Sequence, residues 1–539
     1  MAGGDPEKSL RAARRQSTLR EPPKIVLTVP DHPPGGGAPE ENGNCRRQKR
    51  IQEERIGEDY SVRTRFLPGR ESQSEPIGIV LALAAVVSVL ALGGVETLYF
   101  APAQIAVVLL AAGVFWSRGF PPVSIPARCL LGALVLIPLL QLLSLPRSWV
   151  AAISPHRVVL TDALLAPFGA LPDRLAVSLN PYETKLALLR LICYSLVFLL
   201  GFAAYRSRRE AAGLSGALVT IGLLEATYGI TQFLTGRQYL FPYGQWVPAF
   251  DATGTYVNRN HFAGLLEMVA PFLMAEILFV RLAAGSSRRS PWIDLIVSPL
   301  SSRLLLRIAL FAVLSIGLVF SRSRMGIVAG AVGILAVTAI AGMQRRGRSV
   351  LVIFFFVFSI PLAYSVWIGL NPVVERFEAL SRPGVLSEDR LSVWRDTVRL
   401  IGDYPWTGTG LGTYHWANQH YQTANFWGVY EHAHSDYLEF AAEIGIPAAA
   451  LLFVGLWVLV FRVGRRALTL QSVRERTLAA GCTGAMAAIL VHAVTDFNLQ
   501  IPSNALIFSW IAGTAAALVH PSKQTSLSAR EVVHAEAVD

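Results

Sequence analysis

The residues Glu431-His432-Ala433-His434-Ser435-Asp436-Tyr437-Leu438-Glu439, continuing through Glu443, Gly445 and Pro447, lead straight into an almost wholly apolar run at 448–461. Two histidines and four acidic groups therefore stand where a membrane helix meets water. Asp436 followed three residues later by Glu439 predicts a helix start, with Asp436 as N-cap and Glu439 reaching back to it. His434 then falls just before the first turn, at the positive end of the helix dipole, which favours a neutral imidazole. A neutral imidazole at the rim of a membrane can serve as a base.

Working outward, apolar segments long enough to span a bilayer, about 20 residues each, fall near 77–95, 103–117, 129–145, 186–204, 212–234, 262–284, 304–320, 325–342, 350–370, 437–461, 477–495 and 503–519. The expected fold is an all-α polytopic membrane protein of about twelve transmembrane helices. A large, partly helical loop, 371–435, is expected between the ninth and tenth. Composition agrees: 53% of the 539 residues are hydrophobic and 16% charged, against roughly 25% charged in ordinary soluble domains. The net charge of +11 comes with basic residues set between apolar spans, which points to membrane topology and not to nucleic acid. With the N-terminus inside, the inner loops carry Arg118 and Arg128, Arg206 to Arg209, Arg288 to Arg303, Arg345 to Arg348, and Arg462 to Arg476. The outer loops are sparser in charge, as the positive-inside rule requires. Both termini are thus expected in the cytoplasm and the polar loops on the opposite, non-cytoplasmic face.

Residues 1–75 are rich in Arg, Pro, Gly and Glu without apolar periodicity, and read as a disordered basic cytoplasmic tail. No apolar stretch of signal-peptide type precedes Ile77. The transmembrane domain covers 77–520, and 521–539 form a second cytoplasmic tail. Four scattered cysteines, Cys45, Cys129, Cys193 and Cys482, make no C-x-x-C pair, so neither a disulfide framework nor a metal site is indicated.

Polar clusters gather on the outer side. The turn Ser321-Arg322-Ser323-Arg324 opposes the topology signal. Its arginines either snorkel to headgroups or form an anion clamp, since guanidinium forks match phosphate oxygens. The segment 253–264 offers Arg259 and His261, readable as site residues or as structural ones. The loop 371–435 holds Arg390, Trp394 and Asp403-Tyr404-Pro405-Trp406-Thr407-Gly408-Thr409-Gly410-Leu411-Gly412. Its glycines allow close backbone approach but make no P-loop, because no Lys-Ser/Thr follows. Its aromatic residues suit sugar stacking or an interfacial belt equally. His492 and Asp496, four apart, are expected to share a helix face as a hydrogen-bonded pair. Glu225, Gln232, Glu267 and Glu276 are expected to face the bundle interior. The chain has no Walker A motif, no D-x-D pair, no H-E-x-x-H and no G-x-S-x-G. No cofactor and no metal are expected.

Three blocks in this order carry a resemblance: Ser321-Arg322-Ser323-Arg324 with Met325-Gly326, then Arg390…Trp394…Pro405…Gly408-x-Gly410-x-Gly412, then His434-Ser435-x-x-Leu438…Glu443-x-Gly445. Together with 257–262 and 496–499 they are similar to the O-antigen ligase and polymerase family of bacterial membrane proteins, over about residues 77–520. Met325 stands where the family often has Gly, and the long N-terminal tail is unusual for it. The resemblance implies metal-independent glycosyl transfer on the periplasmic face, from an undecaprenyl diphosphate-linked glycan to an acceptor hydroxyl. It implies His434 as general base, with Arg324, and after it Arg322, Arg259 and Arg390, holding the diphosphate. His261 and Glu443 are further candidates for binding donor or glycan. The acceptor is lipid A-core, another glycan or a protein hydroxyl. Besides the glycan substrates and membrane lipids no partner is indicated. A transporter or flippase for lipid-linked oligosaccharide is the alternative from another class, and a protein O-oligosaccharyltransferase is the alternative within this one.

Overall fold

The computed structural model describes residues 75–169, 171–205, 211–283, 299–344, 387–423 and 429–520, all within one compact unit, Arg70–Asp539. The expected tails lie outside the described residues, as do the expected ninth span at 350–370 and the first part of the large loop.

The chain begins with α1 (Glu75–Leu90), α2 (Thr97–Arg118) and α3 (Ile125–Leu142). A polar excursion follows, with β1 (Leu145–Pro146), α4 (Arg147–Ile153), α5 (Pro155–Leu165) and β2 (Arg174–Leu175), β1 pairing antiparallel with β2. Next come α6 (Pro181–Tyr205) and α7 (Ala211–Thr235), then a hairpin of β3 (Arg237–Leu240) and β4 (Gln245–Pro248). After it stand α8 (Arg259–Ala283), α9 (Pro299–Phe320) and α10 (Arg324–Gln344). The large loop contributes α11 (Ser387–Asp403) and α12 (Tyr414–Asn418), and the chain closes with α13 (Asp436–Ile444), α14 (Ile446–Thr469), α15 (Val473–His492) and α16 (Pro502–Val519). Eleven of the twelve expected spans fall on these helices. Nine helices among the described residues are long and apolar enough to cross a membrane. The protein is an all-α polytopic membrane protein, and the loop before α13 is partly helical as expected.

Burial sorts the helices into layers. The membrane-length part of α8 is 94% buried and that of α16 83%, whereas α3 is 11% buried. The first two therefore belong to the interior and the last faces lipid. α8 packs on α10 and α15, and α16 on α6. The α10–α15 crossing is made by Gly333 and Gly484. A Cβ on either would stand 2.7 or 2.6 Å from the other's carbonyl oxygen. Lipid gives no hydrophobic drive to helix association, so such close backbone contact supplies it through dispersion.

The buried polar residues of the spans are satisfied inside the bundle. Glu225 accepts from Thr255 N (2.8 Å) and Oγ1 (3.0 Å), Gln232 Nε2 donates to the Gly254 carbonyl (2.6 Å), and Glu276 meets Arg307 (2.9 Å) and Ser215 (2.8 Å). His492 pairs with Glu267 (2.9 Å) and not with Asp496. That corrects the expectation of a His492–Asp496 pair: α15 ends at His492, so the i,i+4 geometry does not reach Asp496.

The expected single span at 437–461 is also corrected, since it is broken at Gly445. Gly445 has φ +82°, and a Cβ there would lie 2.4 Å from the Trp406 carbonyl oxygen. Pro447 then opens α14 in the first turn, where its missing N–H costs nothing. α13 is thereby a separate short helix. Its cap is Ser435, whose hydroxyl accepts from Leu438 N (3.5 Å), and not Asp436. Glu439 does reach back, but to the Ala433 N–H (2.8 Å).

Candidate functional site

The Ser321–Arg324 turn divides its labour by residue type. Ser321 Oγ donates to the Leu318 carbonyl (2.6 Å) and accepts from Ser323 N (3.1 Å), while Ser323 Oγ accepts from Gly326 N (3.2 Å) and caps α10. The serines are buried and fold the turn. The arginines between them are left to project. Arg322 takes φ +53°, lies over the Phe233 ring at 5.2 Å, and reaches Asp251 Oδ1 at 3.3 Å. Arg259, the first residue of α8, pairs with the other oxygen of Asp251. Arg324, the first residue of α10, lies close enough to Arg390 and Arg259 to be repelled by both.

Asp496 is the second anchor. It is 1% exposed and receives Asn260 Nδ2 at 2.6 Å and Phe497 N at 2.9 Å, with His261 Nε2 at 3.6 Å and Arg390 at 3.5 Å. Arg390 also donates to the Thr495 carbonyl (3.0 Å). Burial works to raise the Asp496 carboxyl, but the surrounding His261, His492 and Arg390 outweigh it and hold the group well below the usual carboxylate range.

His434 is joined to this centre through the α13 entry. The Asp436 N–H donates to the carbonyls of Ala493 (2.9 Å) and Asp496 (3.0 Å), and the Asp436 carboxylate accepts from Leu499 N (3.0 Å). Burial pushes that carboxyl up, with Glu439 and Asp496 adding to the effect. His434 itself has φ +50°, and the Trp394 indole N–H donates to its carbonyl (3.4 Å). Three non-glycine residues among those described have positive φ, and two of them are Arg322 and His434. Such conformers cost about 1–3 kcal/mol each and persist where surrounding structure fixes them.

Phe497 organises the imidazoles. His432 stacks on it face to face (3.9 Å, 13°), while His434 (5.2 Å, 69°) and His261 (4.6 Å, 75°) meet it edge-on. The histidines on either side of this ring are driven apart in acidity. Burial lowers His434, and the charges of Arg390 and His432 add to that against the pull of Asp496 and Glu439. His432 is partly buried, which lowers it too, but Glu439 at 2.7 Å, with Glu443 and Glu431 beyond it, turns the balance and raises it. One imidazole held toward its neutral form and one toward its cationic form thus meet one phenyl ring. Among the described residues, His434 Nδ1 and Arg322 Nε are buried here without a hydrogen bond, and His261 Nε2 and Asp251 Oδ1 have only the ion-pair contacts given above. Leaving such groups unmade is costly, and they collect where a site binds something polar.

The structure therefore brings together Arg259, His261, Arg322, Arg324, Arg390 and His434, from the starts of α8, α10, α11 and α13. Glu443 is set apart from them. Its Oε1 accepts the Tyr414 N–H (3.0 Å), with the Gly412 N–H beside it, and burial, reinforced by Glu439, raises its carboxyl. Its carbonyl takes Gln141 Nε2 (2.8 Å) and Gly410 N (3.0 Å), and a Cβ on Gly408, φ +63°, would lie 2.2 Å from that oxygen. The glycine-rich stretch is a joint for the α13–α14 break, and Glu443 is its internal strut.

Asp251, His432, Glu439 and Phe497 escaped the sequence reading as site members. Asp496 was seen, but with the wrong partner. Among the described residues no group of three or more His, Cys, Asp or Glu side chains is placed to hold a metal ion.

A search of curated proteins finds no match to the chain. Residues 309–453, which include Arg322, Arg324, Arg390, His434 and Glu443, match the family model described as O-Antigen ligase, the family that the motifs of this multi-pass chain resemble.

Proposed function

We propose that the protein transfers a glycan from a polyprenyl diphosphate-linked donor, of undecaprenyl type, to an acceptor hydroxyl on the periplasmic face of the inner membrane. The O-antigen ligase domain supports a glycan-transferring role of ligase or polymerase type. The finer reading rests on one observation: Arg259 and Arg322 on Asp251, Arg390 on Asp496, and Arg324 close to Arg390 and Arg259 gather in one cluster with the entry to α13, where His434 leans neutral. A diphosphate diester is a dianion, and arginine forks bind its oxygens in pairs.

In the step proposed, His434 takes the acceptor hydroxyl proton as that oxygen attacks the anomeric carbon. The bond from the anomeric carbon to the diphosphate oxygen breaks, and the electron pair leaves on the diphosphate. Arg324 and Arg390, with Arg259 and Arg322 steadied by Asp251, stabilise the charge that builds on the leaving group. Burial, with the charges of Arg390 and His432 adding to it, favours the base form of His434. Glu443 supports the loop and takes no direct part.

The test is the glycan profile of a host lacking the protein. Long chains held on the lipid carrier, with a bare final acceptor, mean a ligase. Single repeat units on carrier or acceptor mean a polymerase. Donor trapped on the cytoplasmic side with neither change overturns the transferase reading in favour of transport.

A further inference from the structure

A second feature lies among the membrane helices, away from the arginine cluster. α3, α6, α14 and α16 enclose a cavity of about 530 Å³. Its wall is apolar, with Leu130, Phe198, Leu452 and Phe508 among its side chains. Along α16 it extends from Ala505 to His520, about 20 Å at the helical rise and most of the ~30 Å hydrocarbon core. One end abuts Phe440 and Leu499, beneath the α13 joint; the other opens between Ser124, Arg462 and His520. No acidic residue lines it. Arg128 and Arg465 add exposed positive charge on α3 and α14, the helices that carry Ser124 and Arg462 at this mouth.

We propose that this groove binds one anionic phospholipid, with an acyl chain along α16 and the headgroup phosphate at Arg462 and His520. The shape fits a linear hydrocarbon and disfavours a sugar, whose many hydroxyls would meet only Tyr194, Ser195 and Ser509 along this wall. The charge at the mouth selects an anionic head over a zwitterionic one. A lipid-linked glycan donor, with its diphosphate at Arg324 and Arg390 as proposed above, would have its head at the other end: neither arginine lines the groove, whereas Arg462 and His520 do.

The test uses the full-length chain in mild detergent, titrated with phosphatidylglycerol, phosphatidylcholine or polyprenyl phosphate and read by native mass spectrometry. One phosphatidylglycerol is expected to remain bound under conditions that strip phosphatidylcholine. Arg462→Gln is expected to weaken phosphatidylglycerol about fivefold, the worth of one interfacial cation, while Arg237→Gln, exposed on the β3 hairpin and outside the groove wall, leaves it within twofold. Ser509→Phe, which fills the groove from α16, is expected to abolish the bound lipid while the variant stays monodisperse with an unchanged melting temperature. Equal retention of phosphatidylglycerol and phosphatidylcholine overturns the proposal. So does retention of phosphatidylglycerol by Ser509→Phe, or polyprenyl phosphate displacing it from the wild type.

Discussion

Two buried acidic centres sit on opposite sides of α13, and they differ in what surrounds them. Around Asp251 and Asp496 four arginines gather, two residues hold left-handed backbone, and among the described residues His434 Nδ1 and Arg322 Nε make no hydrogen bond. Around Glu443 there is no arginine partner; the carboxyl serves backbone N–H groups of the glycine loop, and the left-handed positions are glycines. The first centre gathers arginines on left-handed, non-glycine backbone. The second braces a glycine joint, and its Glu443 Oε2 too makes no hydrogen bond among the described residues. Both are family-like blocks in sequence, and clustered arginines together with strain in non-glycine residues tell them apart.

The comparison can be broken by substitutions on each side. Arg324→Ala or Arg390→Ala is expected to lower transfer by roughly 10²-fold or more, measured with purified protein and lipid-linked donor, with partial recovery in the Lys variants. Retained activity in both would remove the arginine cluster as a functional sign. On the other side, Gly408→Ala places a Cβ against the Glu443 carbonyl at positive φ. A loss of about 3 kcal/mol is expected, seen as a lower melting temperature and poor recovery from the membrane. An unchanged melting temperature would mean that the joint is loose.

Two smaller effects sharpen the contrast. Because burial already holds the Glu443 carboxyl toward its neutral form, Glu443→Gln is expected to keep transfer within about twofold and to cost under about 1 kcal/mol. A large loss of activity with normal stability would return Glu443 to the site. His432→Gln removes the cation beside His434. The base works when neutral and its pKa lies below the ordinary 6.5, so wild-type activity is expected to persist below pH 6.5. Loss of His432 moves the acid limb of kcat/KM to higher pH. An unmoved limb would separate His432 from His434.

Much of the fold was legible because a run of about 20 apolar residues has few alternatives to spanning a bilayer. The break at Gly445 was not, since 437–461 keeps apolar character across it and the cause is the distant Trp406 carbonyl. The arginines and His434 could be read from sequence because charged residues at a membrane boundary demand a partner. Asp251 could not, as a lone aspartate in a loop gives no hint that it lies between Arg259 and Arg322. Asp496 was matched to His492 by helical spacing, but α15 ends there and His492 turns to Glu267, 225 residues away in sequence. Long-range pairing of this kind leaves no periodic trace.

The most direct measurement compares wild type and His434→Ala as purified full-length proteins, each given lipid-linked donor and acceptor in detergent, with donor binding and glycan transfer read separately. The variant is expected to bind donor within a few-fold of wild type and to lose transfer by at least roughly 10²–10⁴-fold. Near-normal transfer by His434→Ala would contradict the account, and so would loss of donor binding equal to the loss of transfer, which would make His434 a binding residue and leave the base unassigned.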